Sequence, residues 1–225
     1  MIIAIDGPGA SGKSTIGRLL AERLGYVYID TGLMYRAVTL AALERGTPLN
    51  DEATVVRMTE ALSLEFLPSN GDNDGRLSTV LLDGHDVTWE LRQPIIDQNV
   101  SLISAYPGVR SDLVQRQRAI ASRGNVVMVG RDIGTIVLPE ADLKLFVVAS
   151  VGARARRRWL ERLRRDPDAS YDQILADLVR RDEYDGSRQT SPMVAAADAL
   201  VLDTTGKSPS DSLAEILDLN ALHGE

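Results

Sequence analysis

Apolar residues recur along the chain with two periods, and the switches between them mark the elements. Residues 2–5 form a short apolar run that reads as a buried strand. Over 13–24, Ile16, Leu19, Leu20 and Leu24 fall at helical spacing and Gly25 follows as a stop, which predicts a helix. Residues 26–29 read as a second strand and 32–45 as a second helix ending before Gly46. A β-α-β-α opening predicts a parallel sheet with crossover helices.

The middle of the chain changes period. Residues 62–66, 77–82 and the segment after His85 read as short strands, with Asp83-Gly84 as a hairpin turn and 68–76 as a loop tip. This predicts a small antiparallel lobe inserted at about 62–96. Two helices follow, 94–105 and 107–123, broken at Pro107. Strands at 126–129, 143–149 and 199–202 and helices at 152–165, 171–184 and 209–219 complete an α/β core with five strands.

Composition excludes several classes. The 225 residues include no Cys and two His, His85 and His223, which rules out disulfides, thiolate sites and a His-built metal cluster. No apolar run reaches the length of a membrane span, and the first residues lack the basic and apolar regions of a signal peptide. A cytoplasmic protein with no membrane partner is expected. The net charge of −7 argues against non-specific nucleic-acid binding. Its cations are lopsided: Lys stands only at 13, 144 and 207, so 22 of the 25 are Arg. Arg differs from Lys chiefly where a planar anion is gripped at two points.

Gly7-Pro8-Gly9-Ala10-Ser11-Gly12-Lys13-Ser14, followed by Thr15, fits the phosphate-loop pattern G-x-x-x-x-G-K-[ST] between a strand and a helix. Glycines let the backbone aim its N–H groups at phosphate oxygens, and the helix N-terminus adds its dipole. Lys13 can reach the β- and γ-phosphates of ATP, and Ser14 can ligate Mg²⁺. The N-K-x-D guanine reader of GTPases is absent, so a small kinase is expected.

Three groups of arginines sit where anions are expected. Asp30-Thr31-Gly32 leads into Tyr35-Arg36 at the end of the second strand, where open α/β sheets place ligands. As a plain helix start, Thr31 would be the cap and Arg36 would be solvated. Gly130-Arg131-Asp132-Ile133-Gly134 follows the strand at 126–129. Seven arginines lie within 154–165, of which Arg154, Arg157, Arg158 and Arg162 share one helical face. Arg180, Arg181 and Arg188 follow. Few aromatics accompany them, so a lid closing arginines over a triphosphate fits better than a nucleic-acid patch.

On these residues the chain resembles the bacterial cytidylate kinases, the CMP/dCMP kinases of the nucleoside monophosphate kinase group. The likeness runs from about residue 2 to about 218 and includes Asp6-Gly7-Pro8, Asp30-Thr31-Gly32, Gly130-Arg131-Asp132 and the lid at 154–158. The resemblance implies one domain with a P-loop NTPase-type core (about 1–30, 102–150 and 190–225). It also implies an acceptor-binding region at about 31–101 and an Arg-rich lid at about 151–189. Arg36, Arg131 and Arg188 would grip the acceptor phosphate. Ser101, Arg110 and Asp132 would read cytosine, and Tyr35, Arg181 and Asp185 would hold the sugar. Thr31 keeps the hydroxyl that relatives supply as Ser. Arg154, Arg157 and Arg158 would close on ATP, and Lys13, Arg131, Arg154, Arg158 and Arg188 would act on the transferring group. Relatives commonly carry an acid before Gly-Arg-Asp; this chain has Val129, which leaves Ser14, the phosphates and either Asp30 or Asp132 for Mg²⁺.

The expectation is therefore a monomeric kinase that moves the γ-phosphoryl group of ATP to CMP or dCMP. Two other readings stay open at this point: a P-loop kinase for UMP or a metabolite hydroxyl, and a non-enzymatic nucleotide-binding or nucleic-acid-binding module.

Overall fold

In the computed structural model, residues 1–68, 76, 78–164, 166–187 and 191–223 are described. Arg188, Arg165, Leu77 and most of the expected loop tip at 68–76 lie outside them.

Five parallel strands form the core in the order β2-β6-β1-β7-β8. They are β1 Ile2–Asp6, β2 Val27–Asp30, β6 Val126–Val129, β7 Leu143–Val148 and β8 Leu200–Asp203. Ile3, Ala4, Ile5 and every residue of β6 are buried, as strands covered on both faces must be. Helix α1 Lys13–Leu24 and helix α8 Pro209–His223 lie together on one face, where Ile16, Leu20 and Ile216 meet Ile3, Val127 and Leu145. Helix α5 Pro107–Ala121 covers the other, through Ala121 against Val126 and Met128.

The inserted region has its own sheet, an antiparallel β3-β4-β5 meander of Leu64–Pro68, Ser78–Leu82 and His85–Asp86. It also has its own core. Helices α2 Thr31–Glu44, α3 Glu52–Ala61, α4 Pro94–Ile103 and α5 pack around Met34, Val38, Val55, Leu91, Ile96, Val100 and Leu113. Helix α3 is an addition to the sequence reading, which places no element there. Its run Thr54-Val55-Val56 is β-branched and a poor helix former. Burial of Val55, Met58 and Thr59 and an Asp51 cap that accepts from Thr54 N at 3.1 Å hold it instead. At the other end of the chain, helices α6 Val151–Leu163 and α7 Tyr171–Ser187 pair to form the expected lid region. No helix among the described residues is long and apolar enough to cross a membrane.

Candidate active site

Strand register brings three loops out together. Ile5 and Asp30 both lie opposite Val129, so the chain leaving β1, β2 and β6 emerges at one level on one edge of the sheet. This is the crevice outside the strand C-termini where open α/β sheets bind ligands. Gly7 to Gly12 form the loop after β1. Gly7 has φ +143°, and a Cβ there would stand 2.1 Å from the Val147 carbonyl oxygen, so only glycine fits. Lys13, at the start of α1, donates to the Pro8 carbonyl at 3.0 Å and folds back over the loop. Lost hydration and the charge of Arg131 push its ammonium down to about 7. Thr15 lies in the same first helical turn, half-buried.

Asp6, the last residue of β1, organises the neighbouring loop. Its two carboxylate oxygens accept from Ile133 N and Gly134 N, both at 2.7 Å, at the start of a π-helical turn at Ile133–Val137. Burial pushes its carboxyl up to about 6, against the pull of those two N–H groups. The turn fixes Arg131 and Asp132 just ahead of it. Asp132 is ion-paired with Arg110 of α5, and both are buried. The Arg110 guanidinium lies 5.7 Å over the ring centre of Tyr35, so one face of that ring carries the arginine. Arg110 also donates to Ser104 O at 3.4 Å, and Ser104 Oγ to Ser101 O at 3.1 Å. Ser101, Arg110 and Asp132 are thus linked across the break at Pro107.

The arginines converge as their spacing suggests. Arg36 is not solvated: it donates to Leu91 O at 3.0 Å and to Asp97 at 2.5 Å. Thr31 is not the helix cap. Asp30 caps α2 by accepting from Gly32 N, while the buried Thr31 hydroxyl donates to Val129 O at 3.0 Å and ties α2 to β6. Arg131 donates to Gly7 O at 2.8 Å and pairs with Asp185 at 3.2 Å, so one guanidinium touches both the phosphate loop and α7. Arg181 stands 3.9 Å from both Asp97 and Asp185. Burial, with Arg131 and Arg36 nearby, brings its guanidinium down to about 9, the mark of a site with surplus positive charge.

On the lid, Arg154 donates to Gly9 O at 3.2 Å and pairs with Asp182 at 2.5 Å. Arg157 donates to Ser11 O at 3.3 Å and to Thr204 O at 2.6 Å. Arg158 and Arg162 turn the other way, to Asp97 at 2.8 and 3.5 Å, while Arg156 and Arg164 face solvent. An open cavity of about 720 Å³ lies between Arg157, Trp159, Tyr171, Gly206 and Lys207, beside the phosphate loop.

Two residues escape the sequence reading of the site, and a third enters it only as an alternative. Asp97 had a visible signal, as the one acid on an otherwise uncharged, apolar helix. Burial alone would raise its carboxyl, but Arg36, Arg158 and Arg181 outweigh that and hold it at about 2. Thr204 follows β8 and donates to Ser11 O at 2.8 Å, a contact that no local pattern announces. Asp30 was weighed only as a metal alternative, and its carboxylate accepts from Ser14 Oγ at 2.9 Å. That donor pair is two hard oxygens at the mouth of a phosphate loop, which suits Mg²⁺. Val129 cannot serve: it is fully buried, and its methyl lies 2.6 Å from where a Cβ on Gly17 would be.

The cytidylate kinase family profile matches residues 3–221. A cytidylate kinase of Roseiflexus castenholzii is 48% identical over 216 residues, covering 96% of this chain and 91% of that one. One from Leuconostoc mesenteroides is 44% identical over 217 residues, with 96% and 95% covered. Among solved structures, an uncharacterized protein from Eubacterium ventriosum superposes with a TM-score of 0.50 at 12% identity over 97% of each chain, a likeness of fold alone.

Proposed function

The chain belongs to the cytidylate kinase family, and from that premise we propose how its residues divide the work of phosphorylating CMP or dCMP. The activity is transfer of the γ-phosphoryl group of ATP to the nucleoside monophosphate, giving ADP and CDP or dCDP. The acceptor is already an anionic phosphate oxygen, so no general base is required. Alignment and charge neutralisation supply the rate.

Residues 7–15 hold the triphosphate of ATP, with Lys13 on its outer phosphates and Arg154 and Arg157 closing from the lid. The cavity beside Arg157, Gly206 and Lys207 takes the remainder of the donor. Arg36, Arg131 and Arg188 grip the acceptor phosphate, with Arg181 and Asp185 toward its sugar. Arg131, Arg154, Arg158 and Arg188 stabilise charge on the transferring group, and Arg131 is supported in that role by its contact with Gly7 O. The acceptor region is assigned to about 31–101 and the lid to about 151–189, because each carries its own packed helices around the crevice. Ser14 would hold Mg²⁺, with Asp30 orienting its shell. When bound, the ion neutralises phosphate charge. We extend the proposal to a monomer, since one chain supplies every group assigned here, and to the cytoplasm, the expectation from the sequence.

The observation that carries the choice of base is the Arg110–Asp132 pair, its Asp132 set three residues beyond β6 and next to Arg131. Cytosine offers an amino donor beside ring-nitrogen and carbonyl acceptors. Asp132 accepts from the amino group; Arg110 and Ser101 donate to the other two. Uracil would turn a carbonyl toward the carboxylate. A coupled assay of ADP release over CMP, dCMP, UMP and AMP tests this. CMP and dCMP are expected to be the best acceptors, and equal rates with UMP or AMP would defeat the assignment.

A further inference from the structure

Four described arginines converge on the carboxylate of Asp97. That residue sits in the first turn of α4 with a side chain only 15% exposed. Oδ1 lies 2.5 Å from Arg36 and 3.9 Å from Arg181. Oδ2 lies 2.8 Å from Arg158 and 3.5 Å from Arg162. These four arginines come from three helices, α2, α6 and α7, and α4 itself carries no other charge. The single carboxylate therefore joins the acceptor side of the crevice to the lid.

The division of its oxygens is informative. Arg36 is assigned above to the acceptor phosphate and Arg158 to the transferring group. One Asp97 oxygen holds each. The fork of Arg36 is fixed at its other tip by Leu91 O at 3.0 Å, and Arg158 has its second hold on Glu161 at 3.2 Å. Guanidinium groups brought this close repel one another unless an anion lies between them. In the presence of both nucleotides the phosphates supply that anion. In their absence Asp97 is the described carboxylate that contacts both Arg36 and Arg158.

Building on the site reading above, we propose that Asp97 is a positioning residue for phosphoryl transfer. It holds Arg36 and Arg158 in place across the crevice before either phosphate arrives. The nucleotides then meet a lid already drawn toward the acceptor helices. Less of their binding energy goes into gathering the arginines, and Asp97 shares them with the phosphates once the complex forms.

The proposal separates KM from kcat. In Asp97→Asn, a substitution of the same shape, KM for CMP and for ATP should rise roughly fivefold, the low end of ordinary coupling between sites. At saturation the phosphates replace the missing charge, so kcat should stay within a factor of about two of the parent. Asp97→Glu should restore most of the loss. Arg162→Gln gives a second route, since Arg162 is assigned to neither nucleotide: it should raise the same KM values less, and its effect should disappear in the Asp97→Asn background. Unchanged or lowered KM values in Asp97→Asn, or a fall in kcat alone, would overturn the proposal. So would additive effects of the two substitutions. If Asp97→Asn does not fold, the Asp97→Glu and Arg162→Gln values decide. Failure of the parent protein to phosphorylate CMP would count against the functional assignment itself and is seen separately.

Discussion

Arg110 and Asp132 stand on different elements and form an ion pair from which water is nearly excluded, their side chains 6% and 7% exposed. Removing one partner leaves the other charge buried. Asp132→Ala should therefore cost about 3–5 kcal/mol of stability, read as a lower urea midpoint, as well as the preference for CMP over UMP. The double variant Arg110→Met, Asp132→Leu should recover most of the stability and none of the base discrimination. A double variant that still prefers CMP would remove the pair from base reading.

Lys13 predicts a pH dependence whose sign is fixed. Its ammonium lies near pKa 7 in the nucleotide-free protein. A triphosphate favours the charged form, so the complex holds more protons than the free protein between about pH 7 and the ordinary lysine range. ATP affinity should then fall as pH rises through 7, by up to about tenfold per unit. Calorimetry at pH 8 in buffers of different ionisation heat should show uptake of one proton, absent in Lys13→Gln. Affinity that is flat from pH 6.5 to 8.5 would contradict the assignment.

Asp30 lies 2.9 Å from the Ser14 hydroxyl and also caps α2. Asn is a good cap, so Asp30→Asn keeps the helix start and changes only the charge. The Mg²⁺ concentration for half-maximal rate should rise about tenfold, the usual loss when a group orienting a metal's shell is removed. Direct titration with Mn²⁺ in the presence of ADP should show the same weakening. Unaltered Mn²⁺ binding would exclude Asp30.

Gly17 and Val129 are matched. A Cβ on Gly17 would come within 2.6 Å of the Val129 methyl, between α1 and β6. Gly17→Ala gains about 1 kcal/mol of helix propensity and loses about 1–3 kcal/mol to overpacking, so a net loss is expected. Trimming Val129 to Ala in the same chain removes the clash. The double variant should therefore be more stable than the sum of the two single effects, measured by urea unfolding. Strict additivity would show that the helix moves away instead.

What the sequence discloses depends on the range over which each feature is encoded. The phosphate loop is a local pattern that the structure repeats, whereas the arginines placed on one helical face divide, Arg154 and Arg157 to the loop and Arg158 and Arg162 to Asp97. The five core strands are legible because each is a compact apolar run. Helix α3 is hidden because its β-branched residues oppose its conformation, and burial of Val55, Met58 and Thr59 with close packing of Val56 on Gly108 of α5 sustains it. The pairing of Arg110 with Asp132 and the four arginines on Asp97 join residues 22 to 84 positions apart in the chain. Resemblance to a family supplied the first pair as neighbours at the base. Nothing local in the sequence joins Asp97 to them, since an acid in a helix is ordinarily solvated.

The two bonds from Asp6 to the turn after Asp132 have an engineering consequence. The strand that leads into the phosphate loop and the residue proposed to read the base are fastened into one frame, while the arginines of α2, α6 and α7 proposed to grip phosphate are carried by separate helices. Arg131 lies next to Asp132 and pairs with Asp185 on α7, so the proposed base reader and the lid meet at one side chain. Redesign of base preference at positions 110 and 132 should therefore leave Arg131 untouched. Redesign of Asp6 would shift Asp132 and the phosphate loop together.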